Sequence, residues 1–120
     1  MIIFDEFIIV KRKRSYLVSE ICSEESFIIP NEQISELEID EEPEMLAVML
    51  ALLNKVRYDA GKIVDGRRVS IEKNITKQPE FKENLLRLLD SYTIENLIFQ
   101  ICNNKYEQVW KLFFEHDDDV

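Results

Sequence analysis

The run ELEIDEEPEMLAVMLALLNKV, residues 36–56, changes its period part-way along. Up to Asp40, acidic and apolar residues alternate, which suits a strand with one dry face. From Pro43 onwards Met45, Val48, Met49, Leu52, Leu53 and Val56 recur at three- and four-residue spacing. That is the stripe of an amphipathic helix. Pro43 fits the first helical turn, where a missing N–H costs nothing. The acids before it favour the positive end of the helix dipole. The switch divides the chain into extended segments before it and mostly helices after it.

Towards the N-terminus, FIIV (7–10), YLVSEI (16–21) and SFIIP (26–30) are rich in β-branched and aromatic residues. With ELEID they predict three or four short strands. KRKR (11–14) is the solvated connection between the first two. Towards the C-terminus, Gly61 is a natural helix stop. KIVDGRRVSI (62–71) then places Asp65-Gly66 between two apolar-containing runs. That pair suits a type I′ hairpin, with strands near 62–64 and 67–71. Three helices follow. Pro79 opens the first, with Phe81, Leu85, Leu88 and Leu89 on one side. Thr93 caps the second, which carries Ile94, Leu97, Ile98 and Ile101. Asn103-Asn104 ends it, because Asn tolerates left-handed backbone. Tyr106, Val109, Trp110 and Phe113 mark the third, and their helical spacing reads as core.

The predicted fold is α+β: a small, mostly antiparallel sheet, made of the N-terminal strands plus the 62–71 hairpin, packed against about four helices. At 120 residues with two glycines and three prolines, a single domain, 1–120, is expected. Cys22 and Cys102 each sit beside an isoleucine, and the expectation is two buried free thiols. No disulfide framework is present. The N-terminal MIIFDEFIIV precedes the KRKR block instead of following it, the wrong order for a signal peptide. No stretch reaches transmembrane length. A cytoplasmic location is expected.

Few residues suggest catalysis. The single histidine, His116, lies in the acidic end HDDDV, a poor place to hold a Ser-His or Cys-His geometry. Consecutive acids such as Asp117, Asp118 and Asp119 point in different directions, so one ion cannot easily collect them. The 36–44 run lacks the spacing and glycine of an EF-hand. Glu80-Phe81-Lys82 offers the tripeptide of a metal-dependent nuclease, with Asp65 or Glu72 as a further carboxylate. At a helix start, however, Glu80 reads better as an acid on the dipole. Two glycines cannot make a phosphate-binding loop. No enzyme activity, cofactor or metal is expected.

Net charge is −9, with 24 acids against 15 bases. This disfavours direct binding to nucleic acid and to anionic membrane. Lys11–Arg14 and Arg67-Arg68 read as solvated loops. From Ser15 to Asn54 there is no Lys or Arg. The same span holds ten acids: Glu20, Glu24, Glu25, Glu32, Glu36, Glu38, Asp40, Glu41, Glu42 and Glu44. Even mixing would put about five bases there. A solvated, solubility-giving face is one reading. A negative surface that meets a positive one is the other. Alternation in ELEID would set Leu37 and Ile39 inward, with Glu36, Glu38 and Asp40 facing out together.

With its acidic span Glu32–Glu44 and compact helical second half, the chain resembles small acidic bacterial immunity proteins, which neutralise toxins delivered by competing cells. It also resembles phage-encoded inhibitors that imitate nucleic-acid charge. Both likenesses rest on size and charge distribution, not on a motif. The first implies an inhibitor that docks its acidic face on the basic cleft of a toxin domain, typically one that cuts RNA or DNA. Glu36, Glu38, Asp40, Glu41 and Glu42 are the expected contacts, with Glu20, Glu24 and Glu25 secondary. The partner would be a basic protein, and the chain itself a monomer or weak homo-oligomer. A phage-type structural protein is the alternative, and a metal-dependent nuclease comes third.

Overall fold

A computed structural model describes residues 1–22, 25–59, 62–65, 67–69 and 75–114; for 59, 62–64 and 67–69 the description is of the backbone. The fold is α+β. Two compact units make up the chain, Met1–Ala51 and Leu52–Val120.

The first unit holds a four-stranded antiparallel sheet in the order β1 (Ile2–Phe4), β2 (Phe7–Lys11), β3 (Ser15–Glu20), β4 (Ser26–Pro30). Each strand pairs with the next in sequence, so the sheet is a meander. Phe4 pairs with Phe7, leaving Asp5-Glu6 as a two-residue turn. Asp5 takes φ 52°, which a short polar side chain tolerates better than most. The register aligns Phe7, Ile9, Tyr16, Val18 and Ile29 on one face, and all five are buried. Their partners one residue away face the other side, as a period of two requires.

After β4 comes the short helix α1 (Asn31–Ser35), then an irregular linker, then α2 (Pro43–Asp59). The strand expected over ELEID does not form. Residues 36–42 close α1 and lead into α2 instead. The acid–apolar alternation has a local cause: Leu37 is buried just after the end of α1, not across a sheet. The strand the sequence did not single out is β1. α2 is also less one-sided than its stripe suggests. Leu46 to Leu53 are buried without a break, Ala47, Leu50 and Ala51 included. A helix apolar all round is one that is buried all round.

In the second unit β5 (Lys62–Val64) and β6 (Arg67–Val69) pair as a hairpin. Asp65, at φ 51°, has the left-handed backbone expected of the turn. The hairpin is a separate two-stranded sheet and does not extend the N-terminal one. Gly61, Gly66, and residues 70 and 71 of the expected second strand, lie outside the described residues. Ile75–Lys77 form a 3₁₀ turn with Ile75 buried. α3 (Phe81–Leu89), α4 (Ile94–Cys102) and α5 (Tyr106–Phe114) follow. Phe81, Leu85 and Leu88, then Ile94, Leu97, Ile98 and Ile101, then Val109 and Phe113 are buried at helical spacing. Phe81 stacks on Phe113 at 5.2 Å between ring centroids.

Helix ends follow the side chains. Thr93 Oγ1 accepts from the Asn96 N–H at 3.1 Å, satisfying one of the orphan donors of α4. Asn103 and Asn104 end α4, though not by a left-handed turn: Asn103 has φ −102°. Their side-chain amides donate to the Phe99 and Gln100 carbonyls, at 2.8 and 2.6 Å. Gln108 Oε1 accepts from the Lys105 N–H at 2.8 Å, half of a capping box for α5.

Candidate acidic binding surface

The acidic linker begins at the basic hairpin tip. The Asn31 N–H donates to the Arg14 carbonyl at 3.0 Å, and its Nδ2 donates to the Lys13 carbonyl at 3.4 Å. Asn31 Oδ1 is left buried, with no hydrogen-bond partner among the described residues. α1 thus starts against the β2–β3 turn, where Arg12, Lys13 and Arg14, like Lys11 at the end of β2, are exposed. Lys11 Nζ lies 6.0 Å from the centre of the Tyr16 ring.

α1 is too short to stand alone. Ser35 Oγ donates back to the Asn31 carbonyl at 3.0 Å. The Glu36 N–H reaches Glu32 O at 2.9 Å, Leu37 reaches Ile34 O at 3.2 Å, and Glu38 reaches Ser35 O at 3.1 Å. Glu38 then turns the chain at φ 52°, a position that usually belongs to glycine. For a residue with a Cβ the left-handed turn costs about 1–2 kcal/mol. The burial of Ile34 and Leu37 just before it offsets that cost. Further on, the Glu41 N–H donates to Ile39 O at 2.9 Å. The Glu42 carbonyl accepts from Met45 and Leu46 at 3.0 and 3.1 Å, opening α2.

Glu36, Glu38, Asp40 and Glu42 are exposed, while Glu41 and Glu44 are half-buried. The expected inside–outside pattern is kept for Leu37, and Ile39 is only half-buried. The shared strand face is lost, because the segment is not a strand: Glu36 is still helical and Glu38 takes φ 52°.

The secondary residues belong to a different element. Glu20 ends β3 half-buried and Glu25 is exposed before β4, with the Glu20 N–H donating to Glu25 O at 3.3 Å. Their turn lies at the opposite end of β4 from the start of α1, since Ser19 pairs with Ser26 and Ser15 with Pro30. Glu24 lies outside the described residues.

Other expected chemistry is placed as follows. Glu80 is the exposed N-cap residue of α3 and Phe81 is buried in its first turn. Glu80-Phe81-Lys82 is therefore helical, not on a strand. Asp65 is exposed in its turn. Glu72 and the His116–Asp119 cluster lie outside the described residues. Among the described residues no three His, Cys, Asp or Glu side chains converge as a metal site. Both cysteines lie outside any disulfide and are exposed, where burial was expected. Cys22 sits in a turn, and Cys102 is the last residue of α4, one helical step of ~100° from buried Ile101. An apolar neighbour in sequence is not a neighbour in space.

The aromatic stripe of α5 divides. Val109 and Phe113 are core, whereas Tyr106, Trp110 and Phe114 form a half-buried ladder with centroid steps of 6.0 and 4.5 Å. Burial raises the Tyr106 pKa above its ordinary value, and Arg57 pulls it partly back.

No helix among the described residues is long and apolar enough to cross a membrane. No protein-family model matches the chain, and comparison with curated proteins and with solved structures gives no match.

Proposed function

We propose that the chain is a binding protein that neutralises a basic macromolecule, in the manner of an immunity protein acting on a nuclease-type toxin. One observation carries this reading. Exposed Glu36, Glu38, Asp40 and Glu42 lie on a linker pinned by buried Leu37, inside a span with no base between Ser15 and Asn54. The linker carries Glu36, Glu38, Asp40, Glu41 and Glu42 within seven residues of sequence. Their mutual repulsion is relieved when a cation cluster arrives, and the negative potential steers the encounter. Docked in a basic cleft, the linker would occupy the place of substrate phosphates. Substrate would then be excluded without any chemistry by this chain.

The experiment is co-expression with the product of the adjacent reading frame. The reading predicts protection of the cells and a complex retained on a column. Unprotected cells and no complex would refute the toxin assignment.

A further inference from the structure

The sheet of the first unit has two apolar faces, one buried and one only partly covered. Ile3, Ile8, Val10, Leu17 and Ile28 share the second face by register: Ile3 pairs with Ile8, Val10 with Leu17, and Leu17 with Ile28. Ile3 is 63 % exposed and Ile28 62 % exposed, and the three between them are half-buried. An antiparallel sheet with one wet side ordinarily turns polar residues to the water. Serines do so only at the two ends of the patch: Ser19 and Ser26, whose hydroxyls meet at 3.0 Å, and Ser15, which pairs with Pro30. A contiguous aliphatic patch on a chain this acidic marks an interaction surface.

The charges at the two ends of the strands say what covers it. One end carries Arg12, Lys13 and Arg14 in the β2–β3 turn, which outnumber Glu32 at the adjoining start of α1. The other end carries Asp5 and Glu6 in the β1–β2 turn, and Glu25 beside it. The Ile21 N–H donates to Glu6 O at 2.8 Å, which ties the two acidic turns together. Five residue steps along β3 separate the ends by ~16 Å, more than a Debye length of about 8 Å. They therefore act as separate charges. A partner of single sign would suit one end and oppose the other. A second copy, turned about a two-fold axis lying between the sheets and across the strands, puts each basic end over an acidic one.

We infer that this face is the contact of a homodimer, packed sheet on sheet with antiparallel strands. Such a pair follows the closed, self-complementary symmetry of most homo-oligomers and the ~10 Å spacing of stacked sheets. The apolar face is small. Four strands of three to six residues cover on the order of 300 Å², against about 800 Å² per partner in a standard interface. The charged ends extend the footprint. The net charge of −9 on each copy works against association. The dimer is therefore weak, with a dissociation constant on the order of micromolar or higher. The inference does not rest on the proposed toxin neutralisation: the linker 36–42 takes no part in it, and Glu25, a secondary contact of that reading, is the one residue the two share.

Sedimentation equilibrium over a concentration series tests it, with folding of every variant checked by circular dichroism. The wild-type mass should climb towards twice that of the monomer. Ile28→Lys, and separately Ile3→Lys, should weaken self-association roughly tenfold or more by burying a charge in the patch. Replacing Arg12, Lys13 and Arg14 with Glu should weaken it, as should Glu6→Lys with Glu25→Lys. A mixture of those two charge variants should associate more tightly than either alone. Reversing Glu36, Glu38 and Asp40 to Lys should leave the dimer in place. A wild-type chain still monomeric at about 1 mM, where even a contact of ~4 kcal/mol would show, overturns the inference. So does a dimer that Ile28→Lys and Ile3→Lys leave intact, which would place the contact elsewhere. A dimer lost on Ile28→Lys but indifferent to both end swaps overturns the antiparallel arrangement.

Discussion

Ile28 and Ile29 are neighbours in β4, yet Ile29 is fully covered and Ile28 is 62 % exposed. The same division runs through β2 and β3, with Phe7, Ile9, Tyr16 and Val18 buried on the dry side and Ile8, Val10 and Leu17 half-buried on the other; at the edge, Ile3 of β1 is exposed on that second side. One face holds the fold together, and the other carries aliphatic side chains the fold does not use. A strand that is apolar at every position announces that it is a strand without saying which side is covered. Burial on one side comes from folding. Apolar character on the other asks for a reason outside the monomer.

Substitutions on the two faces can break this comparison. Ile29→Ala should lower the unfolding free energy by about 2–4 kcal/mol, the cost of a cavity in a packed core. Ile28→Ala should change it by about 0.5 kcal/mol or less when the chain is monomeric. Urea melts at low protein concentration would show this, and equal losses would mean that the faces are not different. The acidic linker allows the same contrast on adjacent residues. Leu37→Ala should cost roughly 2 kcal/mol and loosen the carboxylates around it, while Glu36→Gln should stay within about 0.5 kcal/mol. In the second unit, Thr93→Ala should cost about 1 kcal/mol through loss of the α4 cap.

The smallest expected effect is a pH dependence. The folded Tyr106 hydroxyl has a raised pKa, chiefly from burial. Its contribution to stability is complete below the unfolded value of 10.0 and declines as pH rises from there through the folded pKa, because the unfolded chain loses the proton first. Tyr106→Phe should flatten stability curves above pH ~10 and leave them alone at neutral pH. A slope unchanged by the substitution would mean that the hydroxyl does not feel its surroundings.

Features set by local chemistry were legible in the sequence. Thr93 caps a helix wherever that helix is, and Asp65 turns a hairpin by its own backbone preference. The α2 stripe was legible too, though its spacing understated how fully Leu46–Leu53 are covered. Features set by the surroundings were not legible. ELEID has the period of a strand, but Leu37 is buried in the turn that closes α1, so no partner strand is needed. Glu38 gave no sign of its left-handed turn, since its residue type disfavours one. Asn103 and Asn104 stop α4 by hydrogen-bonding its last carbonyls, although their residue type alone had pointed to backbone freedom. The charge asymmetry was plain from composition. That the acidic linker starts at the basic 11–14 turn depends on Asn31 bonding to Lys13 and Arg14, which only the fold brings together.

The proposed role of the linker is most directly tested by stopped-flow association with the adjacent-frame product across a range of ionic strength. Changing Glu36, Glu38, Asp40 and Glu41 to Lys should slow association by roughly tenfold or more at low salt and remove most of the salt dependence. An association rate and salt dependence equal to those of the unaltered chain would contradict the account.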